Sequence, residues 1–369
     1  MTDVVDSFDD AFGTRSAVIA IDEPGGEARI YPNRVVARLV QQDRDSYRRI
    51  ARFVDEYPCD VLNIQHEYGL FGGEEGEWVV DLIRGTCKPV VTSLHTVLPE
   101  PSTEHLRVAR ALCVASTAVV VLSETGRDLL VERYGIEPSK IRVIHHGVPD
   151  VPFRETAPQK RALGLGGRMT ISTFGLINRG KGLEYAIDAM AAVVVQHPEA
   201  LYLILGQTHP VIRRREGESY RRELEAKIVA NHLADNVKLV DKYLDFDELL
   251  GYLSATDIYL TPYLNPTQVV SGTLAYAIGC GKAVVSTPYL YAQELLAHGR
   301  GFLTPFRDAS AIATTLVALL DDPALRESTE RRAYRFGRRM TWPTVAHAYG
   351  ALFTALQPPL RRAALATPA

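Results

Sequence analysis

The amino-acid sequence predicts an α/β protein made of two Rossmann-like, doubly wound domains in tandem. The chain has 369 residues, which is too long for one hydrophobic core and suits two domains. Short apolar runs alternate with stretches of helical periodicity, as is typical of parallel sheets covered by helices. The alternation stops once, at residues 147–168, where prolines and glycines are frequent. We interpret this segment as an interdomain linker.

Residues 1–150 are predicted to form the first domain. A short acidic helix at 3–12 opens it, and amphipathic stretches at 46–57 and 124–134 predict further helices. Five short apolar runs predict its strands. These runs lie at residues 17–21, 61–64, 90–94, 118–122 and 141–144.

Residues 165–340 repeat the alternation and predict the second domain. Strands are expected at 170–174, 201–205, 237–240, 258–260 and 283–286, and helices at 183–196, 219–233 and 274–278. A last helix at 343–358 carries apolar residues, including Val345, Tyr349 and Leu352, that need a partner outside the second domain. We therefore expect this helix to complete the first domain. Ligands of doubly wound sheets bind at the carboxyl ends of the strands, which predicts a ligand cleft between the two domains.

The overall composition excludes several classes of function. The net charge of −3 gives no general attraction to nucleic acid. The longest apolar runs are too short to span a bilayer, and no secretory signal is visible. The four cysteines are widely spaced, which indicates reduced thiols and a cytoplasmic protein. The sequence has no Cys/His cluster with zinc spacing and no D-x-D pair after a predicted strand, so no functional metal is expected.

A glycine-rich segment between a predicted strand and a predicted helix is the first candidate ligand loop. It begins at Gly175 and ends at Gly182, with Arg179 and Lys181 inside it. Glycines let the backbone approach a ligand closely, and the following helix offers its first amides to an anion. The segment also resembles a Walker A loop, but Gly182 stands where that loop needs a hydroxyl for Mg²⁺, so an NTPase is not expected. A tight turn with a solvated lysine is the alternative interpretation.

A second candidate loop follows the strand predicted at 258–260. Ser271, Gly272 and Thr273 open a short helix packed through small residues, and the next predicted strand follows at once. A second helix N-terminus with nearby hydroxyls is thereby expected at the same edge of the sheet. Two such loops in one domain fit a diphosphate better than either loop alone.

The order of these motifs resembles the donor domain of retaining GT-B glycosyltransferases of family 4 (glycosyl transferases group 1), in a divergent subfamily. Upstream, the strand ending at His95 and the segments 121–130 and 141–149 resemble the acceptor-side domain of that family. The resemblance implies a hexosyltransferase of the GT-B fold. It would move a hexosyl group from a UDP-sugar or GDP-sugar to a hydroxyl acceptor, with retention and without a metal or other cofactor. The acceptor would be a sugar, a lipid-linked molecule or a small molecule.

The resemblance also implies roles for the donor-side residues. Gly175, Lys181 and the segment 271–273 would bind the diphosphate. Arg179 would supply the charge of an arginine that the family carries where this chain has Leu176. His95 would hold the 6-hydroxyl of the sugar or stabilise developing charge.

Two positions depart from the family pattern. Gln268 and Tyr276 stand where the family carries paired glutamates. Gln268 would face the transferred sugar, and Tyr276 would accept one hydrogen bond from the ribose or pack beside it. The strand and glycine-containing loop that open the family's first domain are also missing before the helix at 3–12. A sugar-nucleotide-binding protein without transferase activity, or another GT-B enzyme such as an epimerase or a phosphorylase, therefore remains an alternative.

The acceptor side is predicted in the loop after the strand at 61–64. His66 and Glu67 lie in this polar, glycine-containing loop and are expected to line the acceptor site. A turn with satisfied polar groups is the alternative. The arginines from Arg331 to Arg339 are a candidate for contact with an anionic membrane surface, and a solvated helix face is the alternative, because surface arginines on helices are common.

Overall fold

The computed structural model describes residues 2–25, 29–153 and 156–357. Residues 154–155 of the predicted linker and residue 358 of the predicted last helix lie outside these ranges. The chain divides into two compact units. The first comprises Met1–Gly147 and Trp342–Ala369, and the second comprises Val148–Thr341.

The elements before the first division alternate between helices and strands. They are α1 (Thr2–Phe12), β1 (Val18–Asp22), β2 (Val35–Val40), α2 (Arg44–Glu56), β3 (Leu62–His66), α3 (Val79–Gly85), β4 (Val90–Leu94), α4 (Thr103–Ala115), β5 (Ala118–Val121), α5 (Glu124–Glu132) and β6 (Ile141–Val143). All five predicted strands are present, and β2 is an additional one. β2 pairs with β1 in a two-stranded parallel sheet, and β3-β4-β5-β6 form a separate four-stranded parallel sheet.

The second unit contains one larger parallel sheet with the order β12-β11-β10-β7-β8-β9. Its elements are α6 (Ala157–Ala162), β7 (Met169–Phe174), α7 (Leu183–Gln196), β8 (Ala200–Leu205), α8 (Pro210–Glu216), α9 (Ser219–Ala230), β9 (Val237–Val240), α10 (Phe246–Ala255), β10 (Ile258–Thr261), α11 (Gly272–Gly279), β11 (Ala283–Ser286), α12 (Leu290–Leu296), β12 (Phe302–Leu303), α13 (Ala309–Asp321) and α14 (Pro323–Gly337). The central strands are buried on both faces, which explains their nearly continuous apolar runs. The predicted α/β class with parallel sheets in two domains is confirmed.

The segment interpreted as a linker differs from that expectation, because it contains α6 and belongs to the second unit from Val148 onward. Lys160 on α6 is buried, and its ammonium lies 2.5 Å from a carboxylate oxygen of Asp257. The other oxygen of that carboxylate accepts a hydrogen bond from the Thr156 hydroxyl at 3.0 Å. These bonds fix the segment to the start of β10.

The last helix, α15 (Trp342–Leu356), packs within the first unit. Its buried face, which includes Val345 and Tyr349, joins Val91 of β4 in one hydrophobic cluster. Tyr349 also forms a 2.8 Å hydrogen bond with the hydroxyl of Ser93. Helix α1 also packs against α15, and a side chain at Gly350 would collide with the Phe12 ring. Among the described residues, no helix has both the length and the apolar character needed to cross a membrane.

Candidate active site

The glycine-rich loop of the second unit runs from the end of β7 to the start of α7. Gly175 has a φ of 125° and Gly182 a φ of 60°, values that side chains disfavour. A Cβ at Gly182 would lie 2.1 Å from the carbonyl oxygen of Pro262, which follows β10. Glycine is therefore required at position 182, so that the glycine-rich loop can lie against the segment after β10.

Both predicted ligand loops meet at one point, around the ammonium of Lys181. This ammonium lies 3.8 Å from the ring centroid of Tyr263, whose hydroxyl is hydrogen-bonded to the Thr273 hydroxyl at 2.7 Å. A Cβ at Gly175 would lie 3.3 Å from the Thr273 methyl and 3.7 Å from the Lys181 ammonium. The hydroxyl of Ser271 lies 3.1 Å from that of Thr273.

Helix α11 begins at this point and points its N-terminus toward the same group of side chains. Ser271 is the N-cap residue, and its hydroxyl accepts a hydrogen bond from the Leu274 amide at 3.3 Å. The amides of Gly272 and Thr273, in the first turn, have no intrahelical acceptor. Together with the Lys181 ammonium, they form a site that attracts an anion.

Arg179 does not join this group. Its guanidinium donates to Glu223 on α9, at 2.7 Å for one of the two hydrogen bonds, and lies 5.1 Å from the Tyr220 ring centroid. Both side chains of the ion pair are about half exposed. The expectation that Arg179 replaces the arginine missing at Leu176 is therefore not supported by this geometry, because the charge is already paired on the outside of the loop.

Gln268 and Tyr276 are both half-buried. The Gln268 amide donates to the carbonyl oxygen of Val270 at 2.8 Å, so one of its donors is used within its own loop. The Tyr276 ring lies 6.3 Å from the Phe174 ring and packs against the apolar cluster around α11. The phenol is thereby oriented by packing at the end of β7.

In the first unit, the predicted histidines lie at the ends of neighbouring strands, and His66 is the last residue of β3 rather than a residue of the following loop. His95 directly follows β4, and its ring Nε2–H donates to the side-chain oxygen of Gln65 at 2.8 Å. The backbone amide of His95 also donates to the carbonyl oxygen of His66 at 3.0 Å. Burial lowers the pKa of His95. The imidazole therefore favours the neutral form, which can both donate and accept a hydrogen bond.

His66 is almost completely buried, with 2 % of its surface exposed. Its ring is stacked on Phe71, with 5.5 Å between centroids and a 6° interplanar angle. Neither ring nitrogen has a hydrogen-bond partner among the described residues. Burial and the neighbouring His95 lower the pKa of His66 to about 4, so this ring is neutral at physiological pH.

Glu67 is held on both sides by hydrogen bonds. One carboxylate oxygen accepts from the Thr96 hydroxyl at 2.9 Å, and the other accepts from the Tyr68 amide at 2.8 Å. The carboxylate is therefore fixed between the loops after β3 and β4. No three His, Cys, Asp or Glu side chains in the described ranges are grouped as metal ligands.

Three supporting residues were missed by the sequence analysis. Gln65 orients His95, Thr96 orients Glu67, and Tyr263 lies beneath Lys181. Gln65 and Thr96 each adjoin a predicted site residue at a strand end, which is a signal that could have identified them. Tyr263 had no such signal, because a tyrosine in a loop does not reveal which charge its ring contacts.

Comparison with known proteins shows to which class this chain belongs. Residues 9–150 match the family described as Glycosyltransferase Family 4, and residues 168–322 match Glycosyl transferases group 1. The D-inositol 3-phosphate glycosyltransferase of Streptomyces avermitilis is 27% identical over 324 residues, which cover 81% of this chain and 67% of that protein. The phosphatidyl-myo-inositol mannosyltransferase of Mycolicibacterium smegmatis is 26% identical and is matched over 87% of this chain and 78% of that protein.

Solved structures show the same fold. Anabaena Alr3699/HepE in complex with UDP gives a TM-score of 0.72 at 19% identity, covering 87% of each chain. Sucrose-phosphate synthase from Thermosynechococcus elongatus gives a TM-score of 0.74 at 20% identity, covering 96% of this chain and 91% of the other. The protein is thus a glycosyltransferase of the GT-B fold class. It belongs to the family 4, group 1 glycosyltransferases, with one family domain matched in each half of the chain.

Proposed function

We propose that this glycosyltransferase moves a hexosyl group from a UDP-sugar or GDP-sugar to a hydroxyl acceptor, with retention of the anomeric configuration. The observation that carries the proposal is the meeting of Lys181, Gly175 and the first turn of α11. A departing nucleoside diphosphate is an anion, and preorganised amides with an ammonium stabilise such a leaving group. HepE structures contain UDP, UDP with glucose, and UDP-glucose, which supports a uridine donor.

The other site residues take roles that fit their surroundings. The neutral ring of His95, held by Gln65, would hydrogen-bond the transferred sugar, as would Gln268. Tyr276 would lie beside the ribose. We expect His66 and Glu67 to bind the acceptor, since the His66 ring nitrogens have no hydrogen-bond partner within the described residues and Glu67 is rigidly held.

We further propose that the reaction takes place in the cytoplasm, because all four cysteines are free thiols. The acceptor would be a sugar, a lipid-linked molecule or a small molecule. The relatives named for inositol phosphate and phosphatidylinositol favour a polyol hydroxyl. We also propose that the arginines within residues 331–339 contact an anionic membrane surface. Co-sedimentation of the protein with phosphatidylglycerol vesicles tests this contact.

A donor screen tests the proposed function. Thermal unfolding is recorded with UDP, GDP, ADP and their common sugars, and a bound ligand raises the midpoint by mass action. UDP or GDP, with a matching sugar nucleotide, should raise the midpoint, and sugar transfer or slow donor hydrolysis should then be detected with that donor. The absence of any nucleotide effect would contradict the proposal. A yellow pyridoxal absorbance of the pure protein would instead indicate a phosphorylase.

The diphosphate is expected to be stabilised without a divalent metal. Transfer activity should remain unchanged after dialysis against EDTA, because the ammonium and helix amides supply the positive potential. The measurement compares initial rates before and after EDTA, with Mg²⁺ and Mn²⁺ added back. A loss of rate that Mn²⁺ or Mg²⁺ restores would show that the leaving group needs a metal.

Gln268 distinguishes an active transferase from a sugar-nucleotide-binding protein, because the resemblance assigns it and Tyr276 to the positions of the family's paired glutamates. In a transferase adapted to the amide, Gln268→Glu should reduce transfer roughly 10-fold or more, since a donor to the sugar is lost. UDP affinity should change little. Rates and Kd are measured on the same preparations, with Gln293→Glu, on an exposed position of α12, as the control. In a binding protein, wild-type transfer is absent and the variant gains at most weak donor hydrolysis.

A further inference from the structure

A buried arginine on α9 connects the residues that follow two strands of the second unit, β8 and β9. Arg221 is only 5 % exposed. Its Nη2 donates to the carbonyl oxygen of Gly206 at 2.8 Å and lies 2.9 Å from a carboxylate oxygen of Asp241. Its Nε lies 3.5 Å from the Glu218 carboxylate, which also accepts a hydrogen bond from the Thr208 hydroxyl. The arginine therefore holds the ends of β8 and β9 together.

Gly206 in turn lies directly against the glycine-rich loop. Its φ is 143°, and a Cβ there would lie 2.2 Å from the carbonyl oxygen of Gly175. The two loops also run side by side, because the Ile177 amide donates to Gln207 at 2.8 Å and the His209 amide donates to Ile177 at 2.9 Å. A rotation of the Gly206 peptide would therefore displace the backbone of Gly175.

We propose that Arg221 is a positioning residue that keeps the glycine-rich loop in its diphosphate-binding conformation by fixing the Gly206 peptide. This inference rests on the proposed donor site. The guanidinium is ion-paired with Asp241 at 2.9 Å and lies 3.5 Å from Glu218, and its charge-assisted hydrogen bond to the backbone carbonyl defines the orientation of that peptide more strictly than a neutral bond. The same helix carries Tyr220, whose hydroxyl accepts from the Leu183 amide at 3.2 Å where α7 begins. Helix α9 thus supports both ends of the glycine-rich loop.

The test compares nucleotide binding by variants at this position. Wild-type protein is titrated with UDP, GDP, uridine and guanosine by calorimetry. Arg221→Gln should weaken binding of the nucleoside diphosphate about 10-fold or more, and Arg221→Lys should recover part of the loss, because an ammonium keeps the charge. Binding of the nucleoside should change much less. Arg222→Gln is the matched control, since Arg222 is exposed on the same helix, and its affinity should equal that of the wild type.

The outcomes separate this inference from the proposed function. If the wild type binds neither UDP nor GDP, the proposed function fails, and the inference with it. If the wild type binds and Arg221→Gln binds within twofold of it, Arg221 is not a positioning residue. The inference would also be overturned if Arg221→Gln lost as much affinity for the nucleoside as for the diphosphate, or if Arg222→Gln lost as much affinity for the diphosphate as Arg221→Gln. If Arg221→Gln does not fold, Arg221→Lys and Asp241→Asn are tested in its place. Each should bind the nucleoside diphosphate several-fold more weakly than the wild type, and unchanged affinity in both would overturn the inference.

Discussion

Replacing Lys181 with alanine should weaken binding of the nucleoside diphosphate by about 1.5–3 kcal/mol, or roughly 10- to 150-fold in Kd. The ammonium lies beside Gly175 and over the Tyr263 ring, and a hydrogen bond between charged groups is stronger than a neutral one. Calorimetric titration with UDP and GDP measures the loss. Because the diphosphate is also the leaving group, the transfer rate should fall with it.

Two variants make this prediction specific to the charge. Lys181→Met keeps an unbranched stem over the Tyr263 ring and should bind as weakly as the alanine variant. Arg179→Ala should leave the Kd within about twofold of the wild-type value, since the Arg179 guanidinium is paired with exposed Glu223. A large loss in Arg179→Ala, with little loss in Lys181→Met, would show that the two cations have been assigned the wrong roles.

Asp257→Ala should destabilise the second unit by about 3–5 kcal/mol, because it leaves a buried ammonium without its partner. The side chains of Lys160 and Asp257 are only 9% and 7% exposed. Asp257 also accepts a hydrogen bond from the Thr170 amide at 2.7 Å at the start of β7. Urea unfolding should show the transition of the second unit at a lower midpoint. Because the chain has two units, the transitions are fitted separately.

The control for this prediction removes both charges at once. Lys160→Met with Asp257→Leu replaces the pair by apolar groups of similar volume and should recover much of the lost stability. Glu223→Ala, which breaks the exposed pair with Arg179, should leave the midpoint unchanged. An Asp257→Ala midpoint equal to that of Glu223→Ala would mean that the buried pair does not anchor α6 to the sheet.

The elements that were predicted correctly carry their signal in consecutive residues. Strands such as β5 and β11 are uniformly buried, so they show as apolar runs. β2 was missed because its side chains alternate, with Val36 and Val40 exposed, and it lies in a small separate sheet. α6 was missed because Lys160 resembles a solvated residue until its partner, 97 positions later, is known.

In the candidate site, too, features that show in neighbouring residues were predicted, and features that depend on distant residues were missed. Glycines beside Lys181 predicted a ligand loop because backbone freedom and charge are visible locally. The pairing of Arg179 with Glu223 depends on a helix 44 positions later, and a sequence pattern cannot show which of several exposed carboxylates it meets. Arg221 was missed for a related reason, since an arginine on an amphipathic helix is usually solvent-exposed.

The position of α15 affects the order in which the chain can fold during synthesis. The hydrogen bond between Ser93 and Tyr349 joins residues separated by 256 positions, and the second unit lies entirely between them. The ribosome therefore releases the whole second unit before it releases the helix that covers Val91 and its neighbours. Until then the first unit exposes an apolar surface, which favours aggregation. We expect translation pauses or chaperone binding to affect the folding of the first unit more than that of the second, although the first is synthesised earlier.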